Sequence, residues 1–381
     1  MDIKFTEEQN LIRQSARHFF TDKCPSSFVR EMASDEKGYT EEFWHGMADL
    51  GFMGLIFPEE YGGTGGNFLD LVLLVEEMGR ACVPGPFFSS VILGGLNILE
   101  AGNERQKREW LTKIATGEII VTLALTESDN AYDPSSISVT ATPKRGSYII
   151  NGTKLFVPEA HVADYLLCAA RTRDKGVSGD GITLFIAESE SKGVIRNLLG
   201  TIVGDKQYEV IFNGVEVPTE KILGDIDLGW VYIKKVLQKA AVAKCAEMVG
   251  GAQQVLDMTV PYAKKREQFG KPIGSFQAIQ HHCANMLVDL EACRWVTYKT
   301  AWMIGEGIPC DRQVSIAKAW CNEAYRKIVA LGHQVIGGVG FCEEHDLPLY
   351  FRRARMAEVL FGDADFHRKI VADHIFSKEI E

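Results

Sequence analysis

The sequence predicts a mostly α-helical fold with a central β domain. Apolar residues recur every three or four positions up to about residue 120, and they alternate in short runs bounded by turn residues between about 121 and 227. From residue 228 the helical spacing returns and lasts to the end. We therefore expect an N-terminal helical domain (1–120), a middle β domain (121–227) and a C-terminal helical-bundle domain (228–381).

A capping-box pattern, in which Thr6 precedes Gln9 by three positions, predicts the start of the first helix. The apolar face predicted behind this cap consists of Leu11, Ile12, Ala16, Phe19 and Phe20. "PEEYGGTGG" (58–66) predicts an irregular connection because glycine favours turns, and "FLDLVLLVEEMGRA" resumes the helical rhythm.

Short strands are predicted in the middle of the chain, where Gly, Pro, Asn and Asp separate apolar runs. These runs are "VTLALTE", "SISVTATP", "SYIINGTKLFV", "DYLLCAART", "ITLFIAE" and "YEVIFNGVEVP". Long helices follow, including segments at 228–265 and 276–303.

Composition restricts the class of protein. A formal charge of -10 and a pI near 5.5 argue against a nucleic-acid-binding surface. The nine cysteines lack C-x-x-C spacing, so we expect reduced thiols rather than a metal site or a disulfide framework. We see no basic-then-apolar leader and no apolar run near 18 residues, and we expect a cytoplasmic protein without a membrane span.

Four motifs carry a family resemblance over essentially the whole chain: "ALTESD" (124–129), "NGTKLFV" (151–157), "REQFGKPIGSFQAIQ" (266–280) and "QVIGGVGF" (334–341). Their order and spacing resemble the acyl-CoA dehydrogenases. The resemblance implies an N-terminal helical domain, a middle β-barrel and a C-terminal four-helix bundle that together bind FAD. It also implies an acyl-CoA substrate, electron-transfer flavoprotein as the acceptor, and a homotetramer in which a neighbouring subunit completes each flavin site.

The family motifs imply contacts with the adenine half of FAD. Arg266, Phe269 and Gln277 stand where the family has Arg, Phe and Gln; a guanidinium can bind the diphosphate of a neighbouring subunit's FAD, and an aromatic ring can lie against its adenosine. Gln334 offers a polar contact, and the glycines at 337, 338 and 340 allow close approach of backbone to cofactor.

Two stretches near the implied flavin ring depart from the family pattern. The resemblance places Thr126 near the flavin pyrimidine edge, but "SDNAYDPSS" replaces the usual Pro and Gly-Ser residues that follow. Phe156 stands where the family usually has a stacking Trp, and Pro158 where it has a Thr that bonds near flavin N5. Proline has neither a hydroxyl nor an N–H, so we expect a shifted flavin potential or position.

The usual catalytic base is also missing. The family removes the proton beside the thioester carbonyl with a desolvated glutamate, and the matching residue here is Phe361. Some relatives carry this glutamate on an earlier helix, at the position of Ala240, followed usually by an arginine where this chain has Ala241. Phe361 cannot act as a base, but its backbone N–H remains available to polarise a substrate carbonyl.

Three explanations compete. In the first, another carboxylate acts on a cyclic substrate, as in the branch that forms cyclic dienoyl-CoA products; its aspartate is expected near 89–91, where this chain has Ser-Ser-Val. In the second, Asp363 or Asp365 reaches the substrate. The alternative is that both aspartates accept hydrogen bonds from FAD hydroxyls. A carboxylate beside the FAD diphosphate then needs a nearby cation, which Arg266, His367 or Arg368 can supply. In the third, the chain is the catalytically silent subunit of a heterotetramer.

Two further features have ordinary explanations. "HHC" (281–283) cannot converge on one ion because adjacent helical residues point in different directions. Glu247 lies in an apolar helical stretch, where Lys244 three residues earlier offers a structural partner; a buried Glu247 is the reserve candidate for the base.

Overall fold

The structure, a computed structural model, describes residues 4–129, 132–173 and 181–376. Its elements follow the predicted order of helices, strands and helices. The helices before the sheet are α1 (Glu7–Lys23), α2 (Ser26–Ser34), α3 (Glu41–Asp49), α4 (Phe68–Ala81), a π-helical segment (Phe88–Gly95), α5 (Leu96–Ala101) and α6 (Glu104–Ala115).

The strands of the large sheet are β1 (Val121–Ala124), β2 (Thr140–Lys144), β3 (Ser147–Pro158), β4 (Tyr165–Arg171), β5 (Ile182–Glu188), β6 (Val194–Leu199), β7 (Gln207–Pro218) and β8 (Ile222–Leu223). A hairpin, β9 (Glu267–Gln268) and β10 (Lys271–Pro272), interrupts the later helices. These helices are α7 (Gly229–Lys265), α8 (Gln277–Gly305), α9 (Asp311–Ile336), α10 (Leu347–Val359) and α11 (Ala364–Phe376).

The first helix begins at the predicted capping box: Gln9 N donates to Thr6 Oγ1, and Thr6 N donates to Gln9 Oε1, both at 3.1 Å. The predicted apolar face is correct for Ala16 and Phe20, which are buried, but wrong for Leu11, which is 66% exposed. The buried residues of α1 are Gln9, Ala16 and Phe20, and at 100° per residue Leu11 lies about 140° around the helix from Ala16, on the side that faces solvent.

The middle strands form one sheet in the order β6-β7-β3-β2-β4-β5-β8, with β1 paired to β4. The sequence prediction missed β6 and β8. The family resemblance implied a middle β-barrel; the described strands form the predicted β domain as one sheet, in which no hydrogen-bonded pairing joins the end strands β6 and β8. The central strands β4 and β5 are almost wholly buried, which explains their continuous apolar sequences.

The described chain divides into two compact units. One contains residues 4–31, 67–83 and 241–376, and the other contains residues 32–66, 84–129, 132–173 and 181–240. We call them the helical unit and the sheet unit. In the helical unit α4 lies directly against α7, because Gly79 and Gly250 lack side chains: a Cβ at either would overlap a carbonyl of the other helix.

Among the described residues, helices α7 to α11 form the predicted C-terminal helical domain. Helices α8, α10 and α11 all pack on α9, whose core positions are buried along its length. No helix in the described ranges is both long and apolar enough to cross a membrane.

Candidate functional site

Phe156 lies at an irregularity in β3. Pairing with β7 holds up to Lys154 and resumes at Val157. Between them the Leu155 N–H turns to the Thr126 carbonyl at 2.8 Å. Phe156 adopts a φ of 52°, rare for a bulky residue, and leaves 52% of its surface exposed. Such an outlier persists only where its surroundings hold it, so we read the exposed ring as a functional feature.

A buried ion pair lies next to the irregular part of β3 that carries Phe156. Lys154 Nζ donates to Glu127 Oε1 at 2.7 Å and to the Leu125 carbonyl at 3.0 Å, and the lysine is fully buried. Ser138 donates to the other carboxylate oxygen through its N–H (2.9 Å) and its hydroxyl. Burial by itself raises the pKa of Glu127, but Lys154 and Ser138 together hold it below its usual value. The pair joins the Thr126 segment to the strand that carries Phe156.

Pro158 offers the predicted flavin no donor from its own backbone or side chain. Its carbonyl accepts a 2.8 Å hydrogen bond from Thr122 Oγ1 in β1, so the group faces the sheet. The altered loop nearby is only partly described, since Asn130 and Ala131 lie outside the described residues.

In the helical unit the family Arg motif forms a projecting hairpin. Phe269 (φ 54°) and Gly270 (φ 77°) form its tip, and two consecutive positive φ values are typical of a type I′ turn. Phe269 is 93% exposed, and Arg266 and Gln277 at the base of the hairpin are also exposed. A large aromatic ring left in solvent by a strained turn is typical of a ligand or subunit contact.

The glycine-rich turn after α9 leaves open space beside part of its backbone. A Cβ added at Gly337 or Gly338 would meet no atom within 4 Å, although the left-handed φ of 73° already accounts for a glycine at 337. Gly340 is different, because it is buried and a Cβ there would lie 3.2 Å from the Ile336 and Leu347 side chains, so internal packing explains this glycine. Gly338 and Gln334 are exposed. Open space beside bare backbone, with an amide next to it, fits the close approach of a dinucleotide.

Phe361 lies in a turn whose carbonyl groups are held from within the helical unit. Phe361 (φ 58°) and Gly362 (φ 96°) are both left-handed. The fully buried Lys318 donates to the carbonyls of Ala357 (3.0 Å) and Gly362 (3.1 Å) and to Asn322 Oδ1 (2.6 Å). Burial lowers the pKa of Lys318 to about 8.

His367 holds the other carbonyl of the turn. Its Nε2 lies 2.9 Å from the Phe361 carbonyl, which can only accept, so Nε2 carries the proton. Its Nδ1 then accepts from Ser315 Oγ at 3.2 Å. Burial lowers the pKa of His367 to about 4, which favours the neutral ring, and the suggested role of His367 as a cation beside FAD remains a prediction.

Asp363 caps helix α11. Its Oδ1 accepts from the Phe366 N–H at 2.8 Å, as an N-cap carboxylate does. Asp365 is exposed and pairs with Arg368 at 3.1 Å, while Arg368 also contacts Glu323. The predicted roles of Asp363 as a base, and of both aspartates as FAD ligands, therefore remain predictions beside these structural contacts.

Carboxylates buried in the described part of the chain all have partners. Asp70 accepts from Gln9 (2.9 Å), Glu77 pairs with Arg17 (2.6 Å), and Glu127 pairs with Lys154. Glu76 accepts from the Tyr298 hydroxyl, and its Oε1 lies 3.7 Å from Arg294 Nε; burial raises its pKa.

Glu247 has the predicted lysine partner. Its Oε2 lies 2.6 Å from Lys244 Nζ, and its Oε1 lies 3.9 Å from Arg353. Burial by itself raises the pKa of Glu247, but the two cations bring it below its usual value. This geometry favours a structural ion pair.

Ala240, the position at which some relatives carry the base, is buried in α7. The described residues contain no cluster of side chains suited to a metal ion.

Two buried lysines beside these segments, Lys154 and Lys318, were not singled out from the sequence. Each is a lysine in an otherwise apolar run, "SIAKAW" and "GTKLFV", and this was the available signal. The structure brings Thr126 and Phe156 together in the sheet unit, and Phe361 together with Lys318 and His367 in the helical unit.

Comparisons with known proteins identify the family. The chain matches the acyl-CoA dehydrogenase N-terminal domain over residues 6–118, the middle domain over 122–215 and the C-terminal domain over 227–376. It is 32% identical to a 3-(aryl)acrylate reductase of Clostridium sporogenes, covering 97% of this chain and 99% of the relative. It is 30% identical to the caffeyl-CoA reductase-Etf complex subunit CarC of Acetobacterium woodii, covering 98% and 100%.

Solved structures agree with the sequence comparisons. Butyryl-CoA dehydrogenase from Megasphaera elsdenii superimposes with a TM-score of 0.92 at 28% identity, covering 99% of this chain and 100% of that one. The match extends over all three domains and nearly every residue. The chain belongs to the acyl-CoA dehydrogenase family, the FAD-dependent oxidoreductases that act on CH–CH groups.

Proposed function

We propose that this enzyme introduces a double bond into a cyclic or branched CoA thioester without a proton acceptor at position 361 or 240. The supporting observation is Phe361: an apolar ring stands at the expected base position, and the deeply buried carboxylates of the described residues are already paired. A flat apolar side chain can pack against a ring or a branch of the acyl group, whereas it cannot remove a proton.

FAD supplies the hydride acceptor when it is bound. In our proposal Phe156 lies against the flavin ring, and Thr126 and Pro158 line its edge. Arg266 binds a diphosphate, with Phe269, Gln277, Gln334, Gly337 and Gly338 around the adenosine half. The backbone N–H of Phe361 polarises the thioester carbonyl, so that negative charge developing on oxygen is stabilised.

Asp363 is the first candidate for the displaced base, since it is exposed two residues after Phe361. Its Oδ1 is engaged by the helix, but a carboxylate has further acceptor capacity on Oδ2. An Asp363→Asn variant retains an oxygen for the N-cap and loses the basicity. Loss of flavin reduction with unchanged thioester binding supports the assignment, and full turnover removes Asp363 as the base.

Reduction of a conjugated thioester is a second direction for the same site. The relatives from Clostridium sporogenes and Acetobacterium woodii are named as reductases. Reduction of an enoyl-CoA requires a proton donor at C2, and Phe361 lacks a proton to give, just as it cannot accept one. The lack of a proton-transfer group at position 361 affects both directions equally, so oxidation stays the main proposal and both directions are tested.

A silent subunit of a heteromeric acyl-CoA dehydrogenase is the alternative function. The exposed hairpin that carries Phe269 supports this alternative. Phe269 can contact another subunit whether or not this chain is catalytic. Exposed apolar side chains on α8 and α9, among them Val288 (67%) and Trp320 (49%), support a homotetramer or a heterotetramer.

Electron-transfer flavoprotein is the proposed acceptor, supported by the relative named as part of an Etf complex. The three matched domain ranges also support the proposed domain boundaries at 120/121 and 227/228.

Purification of the chain alone tests these proposals. The flavin absorbance is followed while linear, branched and alicyclic acyl-CoAs are added anaerobically, and dithionite-reduced protein is mixed with the corresponding enoyl-CoAs. Bleaching by cyclic or branched substrates supports the main proposal. A colourless protein that binds FAD only with a related subunit supports the alternative, and a yellow protein that no thioester bleaches contradicts the enzyme proposal.

A further inference from the structure

We propose that Lys318 is a positioning residue which, with His367, sets the backbone of Phe361 for the substrate thioester. The inference rests on the proposed function, since it concerns how the same site holds its substrate. Phe361 has no catalytic side chain, so its contribution to polarising a carbonyl depends on where its backbone amide is held.

Lys318 connects the chain on both sides of Phe361. The Ala357 carbonyl precedes Phe361 by four residues and belongs to the last turn of α10, while the Gly362 carbonyl follows Phe361 directly. The third acceptor, Asn322 Oδ1, comes from the same helix as the lysine, and Asn322 Nδ2 also donates to the Gly362 carbonyl at 3.3 Å. One ammonium group thus ties the end of α10, the turn and α9 together.

The chemistry of Lys318 is unusual for a purely structural lysine. It is wholly buried, and all three of its hydrogen-bond acceptors are neutral oxygens rather than carboxylates. A buried cation without a carboxylate partner is costly, and the carbonyl dipoles at the end of α10 offset only part of that cost. Packing alone favours an apolar residue in this place.

The turn itself requires such support. Gly362 adopts its positive φ without steric cost, but a left-handed phenylalanine at position 361 is strained, and strain of this kind persists only when the surroundings determine the conformation. His367 holds the Phe361 carbonyl, and Lys318 and Asn322 hold the next one. The Ser315–His367 contact resembles half of a hydrolytic triad, but Nε2 is committed to the backbone, so the pair serves to fix the histidine.

The test compares three variants of the whole chain with the wild type. Lys318→Met keeps the length of the side chain and removes its donors. His367→Leu removes the donor to the Phe361 carbonyl, whereas His367→Gln places an amide N–H near the position of Nε2 and should preserve it. Lys327→Met is the matched control: it removes another α9 lysine and an ion pair with Asp289 (2.7 Å), but it does not touch the turn.

Three readouts are measured for each protein. Amide hydrogen exchange of residues 359–366 reports the turn itself. Calorimetry measures binding of a CoA thioester whose β-carbon is replaced by sulfur, which cannot be oxidised to an enoyl product. Stopped-flow absorbance measures flavin reduction at saturating substrate.

We expect Lys318→Met and His367→Leu to raise exchange in 359–366 at least tenfold and to slow saturated flavin reduction by about 10- to 100-fold, since small misplacements at a reacting centre have effects of this size. His367→Gln and Lys327→Met should stay within about threefold of the wild type. Unchanged amide exchange in Lys318→Met overturns the proposal. The proposal is also overturned if exchange rises in Lys318→Met while its thioester affinity and its rate of flavin reduction equal those of Lys327→Met.

The two proposals fail separately. Wild-type protein that binds the sulfur analogue but is not bleached by any of the oxidisable acyl-CoAs contradicts the proposed oxidation. The positioning role is then judged by whether Lys318→Met weakens analogue binding at least tenfold relative to Lys327→Met. Wild-type protein that does not bind the analogue overturns both. If Lys318→Met does not fold, the contrast between His367→Leu and His367→Gln decides.

Discussion

The buried pair of Lys154 and Glu127 allows a stability prediction with a defined size. In Lys154→Met the side chain keeps its approximate volume, so little packing is lost. Glu127 keeps its donors from Ser138 and Val139 but loses the cation 2.7 Å away, and the Leu125 carbonyl loses its donor. The variant therefore leaves a buried carboxylate without a counter-charge.

Breaking a buried ion pair by removing one partner costs about 3–5 kcal/mol. For a folding unit of this size about 1 kcal/mol corresponds to roughly 2–4 °C, so we expect the midpoint of the sheet unit to fall by about 6–20 °C. Glu127→Gln in the Lys154→Met background removes the stranded charge, and the double variant should recover part of the loss.

Calorimetric scans of flavin-free protein measure this prediction at several pH values. In the wild type the depressed pKa of Glu127 contributes stability above the unfolded pKa of about 4.5, and this contribution is lost as pH falls through the folded pKa. In Lys154→Met the unpaired carboxylate is instead relieved by protonation, so the gap between the two proteins should narrow as pH falls below about 5. A gap under 2 °C at pH 7, or one that widens in acid, refutes the reasoning.

The remaining predictions concern single side chains. Because the pKa of His367 falls to about 4 on folding, stability should be fully present above about pH 6.5 and decline toward pH 4 by about 3 kcal/mol, a decline that urea titrations of His367→Gln should not show. Phe156→Gly should relieve the left-handed backbone, making flavin-free protein about 1 kcal/mol more stable, yet weaken FAD binding roughly fivefold; weakened binding without added stability argues against strain. Pro158→Thr should shift the midpoint potential of bound flavin by about 20 mV in dye titrations, which corresponds to one hydrogen bond of about 1 kcal/mol, and an unmoved potential shows that residue 158 does not reach N5. Arg266→Ala should weaken FAD binding about 10- to 100-fold by calorimetry if the guanidinium binds a diphosphate, and unchanged affinity removes it from the site.

Much of the local structure was readable from the sequence because short-range patterns specify it. The capping box at Thr6, the strand from Ser147 to Pro158 and the long helix from Gly229 to Lys265 lie where periodicity predicted them. Strand β6 lies at the edge of the sheet and none of its residues is buried, so its sequence lacks the strong apolar pattern on which the other strands were predicted.

Site residues were predicted less evenly. Motif order predicted Arg266, Phe269 and the glycine turn as cofactor contacts, which remain predictions, and the identity of residue 361 needed no structure. Asp363 illustrates the limit: its position in the sequence made it a candidate base, but only the fold shows that its carboxylate caps α11.

The sequence by itself determined the family, the order of helices and strands, and the lack of an ionisable group at positions 361 and 240, since all of these follow from residue identity and spacing. The tertiary structure alone decided which buried charges are paired, why Phe156 and Phe361 adopt left-handed backbones, and that Lys318 reaches carbonyls about 40 residues away. The physical reason is that burial and hydrogen bonding depend on which distant segments meet, and periodicity along the chain does not carry that information.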